Sequence, residues 1–292
     1  MMTVRKGIIL AGGTGTRLYP LTRVANKQLL PIYDKPVIYY PLTTLMLAGI
    51  RDILIITHPK DLSVIQALLG DGSGLGIKIS YDIQVEPVGL PEAFIIGEKF
   101  INNSPVALIL GDNFYHGQGL SDQLHKATRV LNGATIFSYA VDDPWRFGII
   151  SLDKEGRPLA VEEKPTSPLS NLAITGLYYF DGDVVQRAKA LKPSARGELE
   201  MTDLIRSYLV ENRLTVEALG RGYVWIDVGT PHSLLDASNY VALIQSRQGV
   251  AIASPEEVAW RMEFINDDAF KGLVGALEDC QYRKFLEAIL KS

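Results

Sequence analysis

Residues 7–18 read GIILAGGTGTRL, an apolar run followed directly by a glycine-rich loop. An apolar run of this length without polar alternation is typical of a strand buried on both faces of a parallel sheet. Glycines placed after such a strand allow backbone N–H groups to close around an anion. Two cations follow, Arg17 and Lys27, close enough in sequence to face one polyphosphate. The alternative is a tight turn with solvated charges, and the two cations favour the anion site.

Two common phosphate-binding loops do not fit this spacing. A dinucleotide-binding loop that begins at Gly13 needs a third glycine where Leu18 stands, and a Walker loop that begins there also meets Leu18. The next apolar run begins about forty residues later, whereas an NAD-binding fold places its second strand within roughly thirty. The spacing therefore argues against a Rossmann oxidoreductase.

Apolar runs and stretches of helical length alternate through the first half of the chain. The predicted strands are 7–10, 53–57, 77–83, 106–110 and 134–141, and the predicted helices are 36–48, 62–69, 91–101 and 120–131. After residue 148 we expect a hairpin over 148–161, strands over 172–180, 215–219 and 223–228, and helices over 184–190 and 202–211. This pattern predicts an α/β fold with a mixed, mainly parallel twisted sheet flanked by helices in three Rossmann-like layers.

Two helix starts are marked in the last quarter of the chain. Thr230 precedes Pro231, which suits a first helical position, and Ser254 precedes Glu257 by the three residues of a capping box. We therefore predict one α/β domain over residues 1–250. Residues 251–292 are predicted to form a small helical appendage that contacts another subunit.

The composition excludes several classes of protein. Of 292 residues, 29 are Lys or Arg and 33 are Asp or Glu, so the net charge of −4 does not supply the basic face that nucleic-acid binding needs. The longest apolar runs fall far short of the roughly 20 residues that span a bilayer, so no membrane partner is expected. A single cysteine, Cys280, and the absence of zinc-ligand spacing favour a reducing, cytoplasmic location.

Two aspartates follow predicted strands and are candidate ligands for Mg²⁺. Asp112 follows the strand 106–110, and Asp227 ends the apolar part of the strand 223–228. Ligands of parallel sheets bind at the carboxyl ends of the strands, and Mg²⁺ needs only one or two carboxylates when substrate phosphates complete its shell. The alternative for each is a turn or helix N-cap residue.

The glycine loop continues as YPLT and is followed by KQLLP at 27–31, and six further motifs accompany it. They are YDIQ at 81–84, LGDN at 110–113, VEEKP at 161–165, GELEMTD at 197–203, WIDVGT at 225–230 and SPEEVAWR at 254–261. Together and in this order, they resemble the sugar-nucleotide pyrophosphorylase family over essentially the whole chain. The resemblance implies a nucleotidyltransferase fold and the Mg²⁺-dependent transfer of a nucleotidyl group from dTTP to α-D-glucose 1-phosphate, giving dTDP-glucose and pyrophosphate.

The resemblance also implies roles for residues at matching positions. The expected catalytic residues are Arg17, Lys27, Asp112 and Lys164, and the expected metal ligands are Asp112 and Asp227. The expected nucleotide-binding residues are Gly12, Gly13, Gly15, Thr16, Gln28, Gln84 and Gly89. The expected sugar-phosphate residues are Asn113, Gly148, Glu163, Lys164 and Ile174. The glutamine amide at position 84 offers one donor and one acceptor, which suit the imide edge of thymine or uracil.

The family further implies a homotetramer with a second, regulatory nucleotide site. Its candidates here are His116, Gly117, Arg221, Glu257 and Arg261. Because Glu257 and Arg261 are spaced i, i+4, they can instead pair along one helix.

Two alternatives to this activity stay open at this point. One is a uridylyltransferase or another hexose-1-phosphate nucleotidyltransferase of the same fold. The other is a sensor that binds nucleotide sugars without catalysis, although retained charges at the reaction centre argue against it.

Overall fold

The order of strands and helices follows the alternation in the sequence. The structure is a computed structural model that describes residues 3–13, 15–129 and 132–291. The strands are β1 Lys6–Ala11, β2 Pro31–Ile32, β3 Lys35–Pro36, β4 Asp52–Thr57, β5 Lys78–Ile83, β6 Val106–Leu110, β7 Asn113–Gly117, β8 Ala134–Ala140, β9 Gly148–Leu152, β10 Pro158–Glu163, β11 Leu172–Phe180, β12 Leu214–Leu219 and β13 Tyr223–Asp227. The helices are α1 Tyr39–Leu47, α2 Leu62–Leu69, α3 Glu92–Ile96, α4 Glu98–Ile101, α5 Leu120–Ala127, α6 Val184–Ala190, α7 Met201–Leu209, α8 Pro231–Gln248, α9 Pro255–Arg261, α10 Asp267–Ala276 and α11 Gln281–Ile289.

One large mixed sheet organises the chain. Its strands run in the order β10-β9-β11-β6-β1-β4-β5, and β8 joins β11 and β12 beside this path. The pairs β6-β1, β1-β4 and β4-β5 are parallel, whereas β11 and the hairpin β9-β10 are antiparallel to their neighbours. The predicted mixed α/β fold is therefore confirmed.

The two faces of this sheet bury separate cores. In β1, Ile8 and Leu10 face a core that includes residues of α3, α6 and α7, whereas Ile9 and Ala11 face a core with α1, α5 and α9. Successive side chains of a strand point to opposite faces, so a continuous apolar run is what a strand covered on both sides requires. Because β1 lies between β6 and β4, the glycine loop that follows β1 leaves the sheet in its interior and not at an edge.

A two-stranded ribbon stands apart from the main sheet. Strand β7 was not predicted from the sequence, and it pairs antiparallel with β13. The predicted strand that ends in Asp227 therefore lies in this ribbon and not in the main sheet. Phe114 of β7 and Val228 after β13 pack with Ala237 and Val241 of α8 in a third core. The ribbon is therefore anchored by α8.

Several predicted helices have different bounds. The helix expected over 91–101 is divided at Gly97 into α3 Glu92–Ile96 and α4 Glu98–Ile101, and the helix expected over 202–211 runs over Met201–Leu209. The helix expected over 36–48 begins at Tyr39, because Lys35–Pro36 instead pairs with Pro31–Ile32 as a short hairpin. The helix expected over 120–131 ends at Ala127, and residues 130–131 lie outside the described residues.

The C-terminal segment is helical, as predicted. Helices α10 and α11 share a small core of Phe270, Val274 and Leu286, and α9 packs against α1. The hydroxyl of Ser254 accepts from the backbone N of Glu257 at 3.3 Å, but the Glu257 carboxylate pairs with Arg261, so only half of the capping box forms. The division at residue 250 stays a prediction. Among the described residues, no helix has the length and apolar character to cross a membrane.

Candidate active site

The glycine loop turns into a short 3-10 helix rather than an α-helix. Gly15 has φ +63° and precedes the turn Thr16–Leu18, which carries Arg17. Gly12 is buried, and a Cβ at this position would lie 2.4 Å from Oε1 of Gln84. Gly12 therefore gives space to a neighbouring side chain, whereas Gly13 faces open space.

Lys27 is held in the site by a capped turn. Asn26 accepts a hydrogen bond from the backbone N of Gln28 at 2.8 Å, and its own amide N donates to Asp61 at 2.7 Å. This capping fixes the turn Lys27–Leu29 and directs the Lys27 ammonium to the carboxylate of Asp112, with which it forms an ion pair. Only 8% of the Lys27 side chain is exposed, against 58% for Arg17.

The two aspartates meet although they are distant in sequence. Asp112 follows β6, and the register of the ribbon pairs Asn113 with Asp227. The backbone N of Val228 also donates to the carbonyl O of Asp112 at 3.0 Å. Tertiary pairing of β7 with β13 thus brings both carboxylates to one place, beside Arg17, whose Nη2 lies 3.7 Å from Oδ2 of Asp227.

Asn113 acts as a buried anchor for Asp112. Its amide oxygen accepts from Trp225 Nε1 at 2.6 Å and from the backbone N of Gly176 at 3.1 Å. Its amide nitrogen donates to Oδ1 of Asp112 at 3.0 Å. Asn113 was predicted to bind the sugar phosphate. It lines the same cavity as Glu163 and Lys164, and its hydrogen bonds also make it a positioning residue for Asp112.

The two carboxylates titrate differently because their surroundings differ. Burial and the negative charge of Asp112 raise the pKa of Asp227 to about 6. Burial also opposes the ionisation of Asp112, but the charge and hydrogen bond of Lys27, together with the Asn113 bond, outweigh it and lower the pKa of Asp112. An ionised pair of this kind favours a bound cation.

The part of the site that is predicted to bind the sugar phosphate centres on Glu163 at the end of β10. Lys164 follows with φ +41°, so the chain leaves the strand and brings the Lys164 Nζ to 3.6 Å from Oε1 of Glu163. Neighbouring side chains of a regular strand point to opposite faces, so this change of backbone direction is what allows Glu163 and Lys164 to contact one ligand. Gly148 pairs with Glu163 in the hairpin, and a Cβ there would lie 3.8 Å from Ile174 Cδ1, so the predicted sugar-contacting residues lie together.

Two residues that were not predicted as site residues, Arg196 and Thr202, hold Glu163. Arg196 donates to Oε1 of Glu163 at 3.2 Å and also pairs with Glu198 at 2.9 Å. The hydroxyl of the buried Thr202 donates to Oε2 of Glu163 at 3.0 Å. Thr202 lies within the motif GELEMTD and Arg196 directly precedes it, so the motif was the available signal.

The predicted base-binding residues lie on the opposite side of Asp112. Gln84 is 2% exposed, and its backbone N donates to the carbonyl O of Thr57 at 2.9 Å, which continues the pairing of β5 with β4. Gly89 has φ +131°, and a Cβ there would lie 2.1 Å from the carbonyl O of Leu199. Gly89 therefore permits the close crossing of the loop that contains Leu199.

Replacement of Gly89 by Ala tests this crossing. We expect Gly89→Ala to destabilise the protein by about 1–3 kcal/mol through backbone strain and to raise the KM for nucleotide, because the loop must move away. Urea unfolding and steady-state kinetics measure the two effects. Gly156→Ala is the matched control, since Gly156 also has positive φ but has open space around it. Equal effects in the two variants would contradict the steric role.

Two adjoining cavities unite these groups. A cavity of 350 Å³ is lined by Gly13, Gly15, Gln28, Gln84 and Gly89, and one of 690 Å³ is lined by Gly148, Glu163, Lys164, Ile174 and Arg196. Both cavities are bordered by Gly13, Thr16, Arg17, Leu90, Leu110, Asp112 and Glu198. The charged centre thus lies between a nucleotide-sized space and a second, larger space.

Comparison with known proteins identifies the family. A sequence profile described as nucleotidyl transferase matches residues 6–243. The chain belongs to the nucleotidyl transferase family. This nucleotidyltransferase is 51% identical to a glucose-1-phosphate thymidylyltransferase of Xanthomonas campestris pv. campestris over 290 residues. The alignment covers 99% of this chain and 98% of the relative. A glucose-1-phosphate thymidylyltransferase of Neisseria meningitidis is 52% identical over 286 residues, and the alignment covers 98% of this chain and 99% of the relative.

Solved structures agree with this assignment. A Bacillus anthracis protein described as a glucose-1-phosphate thymidylyltransferase, whose structure was solved with sucrose, superposes with a TM-score of 0.75 at 40% sequence identity. The superposition covers 80% of this chain and 94% of the Bacillus anthracis chain. A UDP-glucose pyrophosphorylase complexed with UDP-glucose gives a TM-score of 0.73 at 26% identity, covering 84% of this nucleotidyltransferase and 100% of its own chain.

The donor set of this nucleotidyltransferase fits Mg²⁺. Asp112 and Asp227 present only oxygen atoms, and the charge of one raises the pKa of the other, which a divalent cation would relieve. Within the described residues, no group of three or more His, Cys, Asp or Glu side chains could enclose a metal ion. Two carboxylates therefore suit an open site that substrate phosphates complete.

The candidates for a regulatory site fall into two groups. His116 and Gly117 lie on β7 near the turn that contains Arg221, and His116 Nδ1 lies 2.8 Å from the Tyr240 hydroxyl. Glu257 and Arg261 lie on α9 and pair with each other at 2.7 Å, as their spacing allows. Both β7 and α9 pack against α1, but no hydrogen bond or ion pair joins the two groups in the part of the chain that the structure describes. Their shared role stays a prediction.

Proposed function

We propose that this nucleotidyltransferase transfers a thymidylyl group from dTTP to the phosphate of α-D-glucose 1-phosphate, forming dTDP-glucose and releasing pyrophosphate. Relatives named for this activity, about half identical over nearly the full length, support the proposal. The observation that carries it is the charged centre between the two cavities, where Arg17 and Lys27 lie beside the two aspartates. One cavity suits a nucleotide and the other a sugar phosphate.

The reaction is an in-line displacement at the α-phosphorus. A phosphate oxygen of glucose 1-phosphate forms a bond to that phosphorus while the bond to the β-phosphate oxygen breaks, and pyrophosphate leaves with that oxygen. The two reactants are anions, and two unit charges 4 Å apart repel by about 4 kcal/mol at an effective dielectric near 20. The protein must therefore supply positive charge on both sides of the reacting phosphorus.

The cations of the chain divide this task. Lys27, fixed by its capped turn, and the more exposed Arg17 neutralise the triphosphate, while Lys164 and Arg196 face the sugar phosphate. Asp112 and Asp227 would hold Mg²⁺, which supplies further charge neutralisation at the phosphates when it is bound. Glu163, kept in place by Thr202 and Arg196, accepts hydrogen bonds from sugar hydroxyls. Positioning and electrostatics account for the rate, so no nucleophilic side chain is needed.

A substrate panel tests this function. Pyrophosphate release is measured with dTTP, UTP, dCTP and dGTP against glucose, galactose and mannose 1-phosphates, with Mg²⁺ and with EDTA. We expect the highest kcat/KM with dTTP and glucose 1-phosphate, and loss of turnover with EDTA that added Mg²⁺ restores. Gln84 matches the imide edges of thymine and uracil alike, so UTP is the main competitor and its preference would make the chain a uridylyltransferase. No release with any pair would contradict catalysis.

Arg196 offers a prediction specific to the sugar phosphate. We expect Arg196→Ala to raise the KM for glucose 1-phosphate about tenfold, the effect of losing roughly 1.4 kcal/mol of charge-assisted binding, with little change in the KM for dTTP. Initial rates with each substrate varied in turn measure both constants. Arg157→Ala, in the exposed turn between β9 and β10, is the control and should leave both unchanged. A rise only in the KM for dTTP would refute this placement.

The remaining expectations concern assembly and control. A homotetramer, a regulatory nucleotide site at His116, Gly117, Arg221, Glu257 and Arg261, and a cytoplasmic location stay predictions from the resemblance. Light scattering measures the number of subunits. Inhibition by dTDP-sugars, compared between the wild type and the Arg261→Ala variant, tests the regulatory site.

A further inference from the structure

Asp61 is a buried carboxylate that the proposed mechanism does not use. It ends the 3-10 turn Pro59–Asp61, which connects β4 to α2, and only 8% of the residue is exposed. Its Oδ2 accepts a hydrogen bond from Nδ2 of the equally buried Asn26 at 2.7 Å. Burial of a carboxylate is costly unless hydrogen bonds replace its water, so this contact is where Asp61 is satisfied. It joins Asp61 to the turn that contains Lys27.

The carboxylate determines which way the Asn26 amide points. A carboxylate accepts hydrogen bonds but donates none, so the amide nitrogen must face Asp61. The amide oxygen then lies on the other side, where it accepts from the backbone N of Gln28 at 2.8 Å. In the rotated amide, oxygen would face the carboxylate and nitrogen would face the backbone N–H, so both hydrogen bonds would be lost. Asp61 thus selects the orientation in which Asn26 caps the turn Lys27–Leu29.

The capped turn leaves the Lys27 side chain little freedom. The stem lies against the glycine loop, because a Cβ at Gly15 would be 3.3 Å from Cβ of Lys27. At its other end, the buried ammonium pairs with Asp112. A displacement of the turn therefore moves the ammonium away from the reaction centre.

We propose that Asp61 is a positioning residue for the transfer step: it holds the Asn26 amide, and this amide fixes the turn that places the Lys27 ammonium. Asp61 lines neither of the two cavities, so its effect on the reaction must pass through Asn26 and Lys27. The inference rests on the proposed function, because that function assigns Lys27 to the triphosphate. A misplacement of about 1 Å in a reacting site can cost up to about 10²-fold in rate.

The first test is the Asp61→Ala variant, in which the Asn26 amide is free to rotate. We expect the single-turnover rate to fall about tenfold, less than the loss on removing Lys27, because the ammonium is still present but no longer held. In the Lys27→Met background, the same change should have less than about a twofold effect, since no ammonium is left to place. Asp71→Ala is the control. Its carboxylate also accepts from a backbone N, that of Ser73 at 2.9 Å, but in an exposed turn, and this variant should react at the wild-type rate.

The second test exchanges donor and acceptor between the two side chains. In Asn26→Asp, two carboxylates face each other, and we expect a rate at least about tenfold below that of the wild type. Addition of Asp61→Asn supplies an amide that can donate to the new carboxylate, whose second oxygen can accept from the backbone N of Gln28. The double variant keeps both hydrogen bonds and the net charge, so we expect its rate to return to within about threefold of the wild type.

The outcomes separate this inference from the proposed function. Wild-type protein that transfers no nucleotidyl group contradicts the function. Calorimetric titration with inorganic triphosphate then still tests the inference, since this binding needs the Lys27 ammonium but no transfer. Binding that is weaker in Asp61→Ala than in the wild type supports the inference, and equal binding overturns it.

With active wild-type protein, an unchanged rate in Asp61→Ala overturns the inference alone. An equal fold loss with and without Lys27 also overturns it, because Asp61 would then act by another route. A double exchange variant that stays as slow as Asn26→Asp has the same meaning. Urea unfolding shows which variants are folded in the assay, and the exchange variants, which keep the size of both side chains, decide if Asp61→Ala does not fold.

Discussion

Asp112→Asn is expected to lower kcat by about 10²–10³, the scale of losing one preorganised electrostatic group at a reacting centre. The amide keeps the shape of the side chain and its contact with Asn113, but it loses the negative charge that pairs with Lys27 and that would hold Mg²⁺. We therefore also expect a higher Mg²⁺ concentration for half-maximal activity. Pyrophosphate release over a Mg²⁺ titration measures both effects.

The matched control is Asp122→Asn on the exposed start of α5. This change removes the same charge from a helix terminus, where it contributes only about 0.3–1 kcal/mol to stability, and it should leave kcat and the Mg²⁺ dependence unchanged. Wild-type turnover in Asp112→Asn would refute the assignment of Asp112 to the reaction centre.

Lys27→Met is expected to lower kcat by a similar factor of about 10²–10³. Methionine fills the space of the buried lysine stem, but it leaves the triphosphate and Asp112 without their closest cation. Removal of that charge also raises the pKa of Asp112, because burial then acts without the compensation that Lys27 gives. The loss should appear with saturating substrates, since it affects the charge that develops during transfer.

Single-turnover rates with excess enzyme isolate this step from product release. Lys154→Met, in the exposed turn before β10, is the control and should react at the wild-type rate. A Lys27→Met variant that reacts as fast as the control would show that the ion pair with Asp112 serves stability alone.

Local patterns in the sequence predicted the main sheet but not the ribbon that completes the site. The strand 106–110 is a continuous apolar run, which period and composition identify without any tertiary information. Strand β7 reads NFYHG, which mixes polar and aromatic residues and becomes a strand only because β13 pairs with it. Since that pairing joins distant segments, the meeting of Asp112 with Asp227 could not be predicted from spacing.

For the glycines too, the sequence pattern predicts some roles, and others become clear only from the tertiary structure. The loop composition predicted backbone that can approach an anion, and Gly13 does face open space at the cavity. Gly12 and Gly89 have another immediate reason, because a Cβ would meet Gln84 in one case and Leu199 in the other. Which neighbour approaches a glycine depends on the packing of segments that lie far apart in the sequence.

The most direct test of the account is the position of the metal ion in a complex with substrate. Crystals grown with Mn²⁺, a non-hydrolysable dTTP analogue and glucose 1-phosphate give an anomalous peak that locates the ion. We predict one peak within about 2.5 Å of carboxylate oxygens of both Asp112 and Asp227, next to the α-phosphate and with Arg17 and Lys27 contacting the triphosphate. An ion bound elsewhere, or phosphates that lie away from these four side chains, would contradict the account.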